Sequence, residues 1–290
     1  MKRILLFVLT NLAIMVTLSI VLGVLGIGGY RTPRGLDYRS LMVFSAVWGM
    51  GGAFISLALS RFIAKQAMGV RLVDGHSGNA DLDWLYRTVQ KLTTQAGLPM
   101  PEVGVYESPE VNAFATGPSK NRSLVAVSSG LFRAMGQPEI EGVLAHEVTH
   151  IQNGDMVTMT LVQGVVNAFV IFVSRVIAFF LRSAVDKKLG YLVEMIAIIV
   201  LQIALGILGS MVVAWFSRAR EFRADAGGAA LAGRSNMIGA LQRLAANKEM
   251  IDTAHPALAT MKINGVKGFM SLLSTHPPLE ERIAALQKGV

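Results

Sequence analysis

The sequence predicts an α-helical integral membrane protein that also carries a soluble, mainly helical α+β domain. Of its 290 residues, 52% are hydrophobic and only 16% are charged, whereas charged residues make up about 25% of an average soluble domain. The apolar residues are also unevenly distributed. They form four long runs separated by polar stretches, and runs of this kind are typical of helices that span a bilayer.

The chain contains no cysteine, which excludes disulfides, thiolate metal sites and cysteine nucleophiles. Any metal ion must therefore be held by nitrogen and oxygen atoms. The net charge is +8, and we expect the basic residues to flank the apolar runs, where they orient the protein and contact anionic lipid. Because no dense Lys/Arg block is interleaved with aromatic residues, no nucleic-acid partner is expected.

The first two apolar runs predict two transmembrane helices within residues 1–60. The run over residues 4–26 is too long for a typical signal peptide, and no clear cleavage site follows it, so we expect an uncleaved span. The run over residues 41–59 is rich in small residues, among them Gly49, which favour close helix packing in lipid.

Residues 61–156 are expected to form the first part of the soluble domain. Leucine and valine at three- and four-residue spacing predict a helix that ends near Gln95. Three short apolar runs predict a small sheet, with a hairpin between the last two and a strand end at Gly117-Pro118. The predicted strands are residues 103–106, 112–116 and 124–127. A further helix is expected from Gln137 to Asn153, where Gly154 stops it.

The other two apolar runs predict a pair of transmembrane or membrane-associated helices within residues 157–216. Arg175 lies in the first run and Glu194 in the second. Ionisable groups at membrane depth either reach the interface or face a protein interior, so these side chains either extend to the interface or pair with each other. Residues 217–290 are expected to complete the soluble domain, with a loop at His255.

Two histidines mark a candidate metal site in the helix that begins at Gln137. His146 and His150 are four residues apart, which places them on one face of a helix. Both imidazoles can then ligate one Zn²⁺, while Glu147 can act as general base toward a zinc-bound water. By chance this motif arises in roughly a few chains per thousand. It therefore predicts a zincin-like metalloprotease domain with one Zn²⁺ per chain.

A catalytic zinc needs a third protein ligand and one open position. Glu221 and Asp225 are also four residues apart, so one helix face carries two carboxylates. The economical assignment makes Glu221 the third ligand and gives Asp225 a hydrogen bond to the free ring nitrogen of a ligating histidine. A solvated charged helix face is the alternative interpretation. If the third and fourth apolar runs are antiparallel neighbours, they bring Glu221 to the histidines.

Five short motifs and one arginine follow one another along the chain: residues 112–117, 146–150, 153–155, 221–225 and 275–279, and Arg282. Together and in this order they resemble the HtpX family of bacterial membrane-bound zinc metalloproteases, a heat-shock family related to the CaaX prenyl proteases and to the gluzincins. The resemblance covers essentially the whole chain. It implies that His146, His150 and Glu221 are the zinc ligands and that Glu147 is the base.

The resemblance also implies a biological role. It implies hydrolysis of peptide bonds in misfolded or damaged membrane proteins and in unfolded polypeptides, alongside other membrane quality-control proteases. The implied location is the bacterial inner membrane, with several passes and with the catalytic domain facing the cytosol. The basic residues around the predicted spans lean slightly toward the same orientation.

The resemblance supports His276 and Arg282 as groups that stabilise the oxyanion of the reaction. From spacing alone, His276 is more typical of a turn because two prolines follow it. The resemblance further supports the predicted strand over residues 112–116 as an edge strand that binds substrate as an additional strand. The candidate substrate-binding residues are Asn112, Ala113, Phe114 and Ala115. A purely structural strand is the alternative.

Two other functions are compatible with parts of this pattern. An intramembrane-type metalloprotease also uses His-Glu-x-x-His, but it buries the motif in a spanning segment, and the helix here is flanked by polar residues such as Glu139 and Asp155. A catalytically silent, zinc-binding membrane adaptor is the second alternative. Glu147 argues against it, because a structural zinc site needs no base.

Overall fold

The computed structural model describes residues 2–27, 29–32, 35–254 and 272–289. The chain divides into two compact units. The apolar unit consists of Met1–Leu57 and Thr158–Val213, and the α/β unit consists of Ala58–Val157 and Ala214–Val290. The predicted loop at His255 lies outside the described residues.

The described part of the chain is mainly helical, and the predicted fold class is confirmed. The helices are α1 (Lys2–Val24), α2 (Tyr38–Met68), α3 (Ala80–Gln95), α4 (Ser129–Ala134), α5 (Gln137–Asn153), α6 (Asp155–Ser183), α7 (Lys187–Ala232), α8 (Arg234–Ala254) and α9 (Leu279–Lys288). The strands are β1 (Arg31–Thr32), β2 (Gly35–Leu36), β3 (Arg71–Val73), β4 (Glu102–Tyr106), β5 (Ala113–Ser119) and β6 (Arg122–Ser128).

Three described helices, α2, α6 and α7, are long and apolar enough to cross a membrane, and Val8–Val24 of α1 is a shorter apolar helix. Large apolar side chains on these helices remain exposed, for example Val165 and Ile203. Such a surface is unfavourable in water, so its exposure is typical of helices that contact lipid.

Close packing of α2 on α6 depends on a glycine, as the sequence predicted. A Cβ atom on Gly49 would lie 2.3 Å from the backbone nitrogen of Ala168, so any larger residue would push the two helices apart. In lipid, helices are held together largely by van der Waals contact, which small residues improve by letting the backbones approach.

The ionisable residues of the third and fourth apolar runs do not pair with each other. Glu194 is buried, and Nη1 of Arg182 lies 2.8 Å from its Oε2 while the guanidinium of Arg31 contacts its Oε1. Arg175 instead lies against the ring of Phe44, with its Cζ 5.1 Å from the ring centroid. The sequence left this choice open because periodicity does not show which loops approach a helix.

The sheet of the α/β unit has the strand order β3-β4-β6-β5, so β5 forms an edge. The pairing of β4 with β6 is parallel, and the other two pairings are antiparallel. The predicted hairpin of β5 and β6 is confirmed, but the predicted strand end at Gly117-Pro118 is wrong. Gly117 has φ +145° at an irregularity in the β5–β6 register, which lets the strand continue to Ser119.

The core of the α/β unit forms where α3 and α5 meet the sheet, with α8 packed against α5. Helix α5 buries one face in this core, where Ile140, Leu144 and Val148 are each at most 2% exposed. Ala113 and Ala115 of the edge strand pack against the same core. The helix that carries His146 and His150 is therefore held firmly against β5.

We predict that Glu194→Gln destabilises the protein, because it leaves two guanidinium groups beside a neutral amide. The two arginine side chains are each 41% exposed, so we expect a loss of about 1–3 kcal/mol, between the values for surface and buried pairs. Thermal unfolding in detergent, followed by tryptophan fluorescence, measures the loss. Glu107→Gln is the control, because that carboxylate is 70% exposed. Equal midpoint temperatures of unfolding for the Glu194→Gln and Glu107→Gln variants would contradict the prediction.

Candidate metal centre

The local geometry of α5 brings the two histidines together. The helix begins after Gly136, whose N–H donates to the Glu139 carboxylate at 2.9 Å, and it ends at Gly154, a left-handed residue with φ +69°. His146 and His150 are both 8% exposed, and their Nε2 atoms are 3.0 Å apart. The rings meet edge to face, at an interplanar angle of 85°.

Helix α7 supplies the third group. Glu221 is completely buried, with its Oε2 3.5 Å from Nε2 of His146 and its Oε1 3.5 Å from Nε2 of His150. The approach of α7 to α5 depends on Gly227, where a Cβ atom would lie 2.3 Å from Cγ2 of Thr149. A larger residue at position 227 would separate the carboxylate from the histidines.

These three groups have the spacing and the chemistry of a metal site. A tetrahedral metal ion with bonds of about 2.0–2.2 Å separates neighbouring ligand atoms by about 3.3–3.6 Å. The two Nε2 atoms here are 3.0 Å apart, and each lies 3.5 Å from a different oxygen of Glu221. Among the described residues, neither oxygen of Glu221 receives a hydrogen bond of good geometry. Because a buried carboxylate is costly unless a cation or donors compensate it, the residues present fit a divalent ion.

Each histidine also contacts a carboxylate through its other ring nitrogen. Nδ1 of His146 lies 3.0 Å from Oδ1 of Asp225, and Nδ1 of His150 lies 2.6 Å from Oδ2 of Asp155. Both aspartates are 2% exposed. A carboxylate in this position keeps the proton on Nδ1 and directs the lone pair of Nε2 toward a metal ion.

Sequence reasoning gave no role to Asp155 or Arg220. The left-handed residue Gly154 separates the two helices, and Asp155, the first residue of α6, contacts His150. An acidic residue directly after a helix-ending glycine was the available signal. Nη2 of Arg220 lies 3.6 Å from Oε1 of Glu221, whereas the sequence analysis considered this stretch only for its two carboxylates, with a solvated charged face as the alternative.

Arg282 and His276, the candidate oxyanion groups, occupy different environments. Arg282 is 6% exposed and makes two hydrogen bonds to Asp225, from Nε at 2.7 Å and from Nη2 at 2.6 Å. The His276 side chain is 61% exposed, with Nδ1 3.0 Å from Oε2 of Glu221. Arg282 is thus directed at a carboxylate inside the site, while the ring of His276 is accessible from outside it.

Burial and ion pairing set the protonation of the site. Burial alone would lower the pKa of His146, but the adjacent carboxylates of Asp225 and Glu221 raise it to about 9. Burial would raise the pKa of Glu221, but the adjacent rings of His146 and His276 hold it well below its usual range. Burial would likewise raise the pKa of Asp225, but Arg282 and His146 outweigh this effect and lower it. At neutral pH both carboxylates are therefore ionised, and His146 carries a proton that a metal ion would have to displace.

The remaining predicted residues lie around this cluster. Glu147 is half-buried on α5, next to His146. On the edge strand, Ala113 and Ala115 face the core that contains α5, while the Phe114 ring lies 5.7 Å from that of Tyr106 on the opposite face. Asn112 is exposed and directly precedes the strand.

The model of Peptidase family M48 matches residues 79–290 of this chain. The chain belongs to peptidase family M48. The cluster of His146, His150 and Glu221, whose donor atoms could hold a metal ion, is consistent with membership of that family. The M48 chain is therefore a metalloprotease that acts on polypeptides, and its long apolar helices make it a membrane protein.

Relatives within family M48 cover nearly the full chain and confirm the resemblance to the HtpX family. Protease HtpX homolog of Paracidovorax citrulli is 53% identical over 100% of this chain and 99% of its own. Protease HtpX of Shewanella loihica is 52% identical over 99% of both chains. Protease HtpX homolog of Methylacidiphilum infernorum is 50% identical over 99% of this chain and 98% of its own.

A solved structure shows the same fold at low identity. Ste24p of S. mikatae is 20% identical and superposes with a TM-score of 0.61. The alignment covers 99% of this chain and 66% of that protein, so the M48 chain spans about two thirds of the length of Ste24p.

We predict that metal affinity rises with pH as far as about 9. Below that pH, His146 carries a proton that must leave before Nε2 can bind a metal ion, so each pH unit gained increases the apparent affinity by up to about tenfold. Chelator competition between about pH 6 and 8.5 measures this slope. Proton release, from calorimetry in two buffers of different ionisation enthalpy, is the control. An affinity that does not change with pH would contradict the prediction.

Proposed function

We propose that this M48 peptidase is a zinc-dependent endopeptidase in which His146, His150 and Glu221 hold the metal ion. The observation that carries the proposal is the spacing of the three buried groups, with 3.0 Å between the two Nε2 atoms and 3.5 Å from each Nε2 atom to one oxygen of Glu221. Two imidazoles and one carboxylate form a ligand set that zinc proteases use, whereas Mg²⁺ and Ca²⁺ prefer oxygen donors alone.

Glu147 is our candidate general base. A bound Zn²⁺ lowers the pKa of a water molecule to about 7 and polarises the substrate carbonyl. Glu147 follows His146 on α5 and is half-buried, so its carboxylate can accept a proton from the attacking water. The same carboxyl group then gives that proton to the leaving amine as the peptide bond breaks. The products are a carboxylic acid and an amine, with no proton gained or lost by Glu147.

Two aspartates are proposed to orient the metal-binding histidines. Asp225 and Asp155 each contact an Nδ1 atom, which leaves the Nε2 atoms of His146 and His150 free for zinc. The two hydrogen bonds from Arg282 to Asp225 favour a positioning role for Arg282 over a direct role at the oxyanion. His276 remains our candidate oxyanion donor, because its exposed ring is accessible to a bound peptide.

We propose that a substrate binds in an extended conformation along the free edge of β5. Among the described strands, β5 lies at the end of the sheet order, with β6 as its one neighbour. An added strand gains backbone hydrogen bonds that do not depend on sequence, which suits a protease of damaged or unfolded polypeptides. The proposed contact residues are Asn112, Ala113, Phe114 and Ala115.

We further propose that the protein resides in the bacterial inner membrane with its catalytic domain in the cytosol. In this arrangement residues 1–60 and 157–216 contribute the membrane helices, and residues 61–156 and 217–290 form the catalytic domain. Its substrates would be misfolded or damaged membrane proteins, handled alongside other membrane quality-control proteases. The apolar helices, which need lipid around them, and the HtpX relatives support this role.

The orientation predicts which sites a membrane-impermeant thiol reagent can reach. The chain has no cysteine, so single cysteines can be introduced without background. Lys187→Cys, at the exposed first residue of α7, should be labelled in intact cells. Lys120→Cys, in the exposed turn between β5 and β6, is the matched control and should be labelled only after the membrane is opened. The reverse pattern would place the catalytic domain outside.

Glu147→Gln tests the proposed reaction. Loss of general acid–base catalysis should lower kcat by about 10²–10⁴-fold, while each chain retains one Zn²⁺, because Glu147 is not a proposed ligand. The measurements are hydrolysis of an unfolded membrane protein in detergent and metal content by mass spectrometry. Glu141→Gln is the control on the same helix, since its carboxylate contacts Lys91 rather than the cluster. Wild-type activity in Glu147→Gln would exclude the mechanism, and another metal would exclude zinc.

A further inference from the structure

The chain segment that enters the edge strand is held by three consecutive residues that begin at the end of β6. Residues 107–112 connect β4 to β5. Ser128, Ser129 and Gly130 lie where β6 passes into α4, and all three contact this connection. We call Ser128, Ser129 and Gly130 the serine latch.

Ser128 fixes the backbone of Asn112 from both sides. The Ser128 hydroxyl accepts a hydrogen bond from the N–H of Asn112 at 3.1 Å, and the backbone N–H of Ser128 donates to the Asn112 carbonyl at 2.9 Å. The same hydroxyl donates to the carbonyl of Glu110 at 2.6 Å and accepts from the N–H of Leu131 at 3.1 Å. A hydroxyl has one donor and two acceptor positions, so this completely buried group uses all of them.

Ser129 and Gly130 hold the preceding part of the connection. The Ser129 hydroxyl accepts from the N–H of Ser108 at 3.2 Å and donates to the carbonyl of Ser108 at 3.1 Å, and the N–H of Gly130 donates to that carbonyl at 2.9 Å. A Cβ atom on Gly130 would lie 2.4 Å from the carbonyl oxygen of Pro109. The connection is therefore seated directly on the backbone of Gly130, where no side chain fits.

We propose that the serine latch positions β5 for polypeptide substrates. The inference rests on the proposed function, in which a substrate pairs along the free edge of β5. An edge strand is held by a neighbour on one side only, and a shift of one residue turns every side chain to the other face. The turn between β5 and β6 fixes the far end of β5. The latch fixes the near end at Asn112, the first proposed contact residue.

The latch does not contact the metal-binding cluster, so it should affect substrate binding rather than the chemical step. A longer peptide makes more backbone hydrogen bonds to β5 and therefore depends more strongly on the register of that strand. This distinguishes a positioning role from a general structural role. A protein that is merely destabilised would lose kcat for peptides of every length, and would lose metal as well.

The experiment measures KM and kcat of the full chain in detergent for nested peptides of about five to twelve residues, since β5 is seven residues long. In the wild type, KM should fall as the peptide lengthens. In Ser128→Ala, KM for the longest peptide should rise about tenfold, as expected for losing a buried hydrogen-bonding group. Its kcat should remain within about twofold, with metal content unchanged.

Ser123→Ala is the matched control. Ser123 is also a buried serine of β6, but its hydroxyl donates to Lys120 at the opposite end of the hairpin, at 3.2 Å. We expect this variant to retain the wild-type dependence of KM on peptide length. Hydrogen exchange provides a second measurement, because amides of residues 110–116 should exchange faster in Ser128→Ala than in Ser123→Ala.

Gly130→Ala tests the latch without removing a hydrogen bond, because the added methyl group must displace the connection. It should raise KM for long peptides as Ser128→Ala does. Gly136→Ala is its control, since the nearest atom to a Cβ there is 3.7 Å away. Unchanged KM in both Ser128→Ala and Gly130→Ala would overturn the latch, and so would equal losses of kcat for short and long peptides. Absence of Glu147-dependent hydrolysis in the wild type would instead overturn the proposed function.

Discussion

A completely buried carboxylate, that of Glu221, sets the conditions for the rest of the α/β unit. An ionised carboxylate in an apolar interior is strongly unfavourable unless opposite charge or donors surround it. Here His146, His150, His276 and Arg282 all place nitrogen atoms within 3.5 Å of its oxygens. These four residues come from two separate parts of the chain, so compensation of a single charge requires those parts to fold together.

The same requirement accounts for the arrangement of helices around the cluster. Helix α5 carries the histidines, α7 carries both Glu221 and Asp225, and α9 carries Arg282. Asp225 adds a second buried negative charge, which Arg282 balances through two hydrogen bonds. The glycine at position 227 removes the bulk that would keep α7 from α5. Charge compensation and close packing therefore act on the same pair of helices, and neither would produce this geometry alone.

The sequence predicted the contacts that depend on spacing along one helix, and it missed the contacts that form through turns of the chain. The shared face of His146 and His150 follows from helical periodicity, as does that of Glu221 and Asp225. The contact of Asp155 with His150 forms across the left-handed residue Gly154. Helical periodicity does not predict the direction of the chain beyond such a residue. The latch joins Ser128 to Asn112 across a hairpin, and its hydrogen bonds form only once the strand register is fixed.

The long apolar helices show the same difference. Their existence follows from the length of the apolar runs, but the partners of Glu194 do not, because Arg31 lies in β1, far away in sequence, and Arg182 lies near the end of the preceding helix, α6. Likewise, α7 and α8 separate at Gly233, which has φ +91°, although the residues on both sides favour helix. A single glycine in an apolar or polar helix is common, so composition alone does not indicate which one ends it.

The irregularity at Gly117 also limits self-association. An exposed sheet edge that can receive a substrate strand can equally receive the edge of another copy, which is a common origin of aggregation. Pro118 has no N–H to donate, and the register shift between Thr116 and Ser119 interrupts regular pairing at that end. A second copy that paired with this edge would therefore meet an irregular strand beyond Thr116.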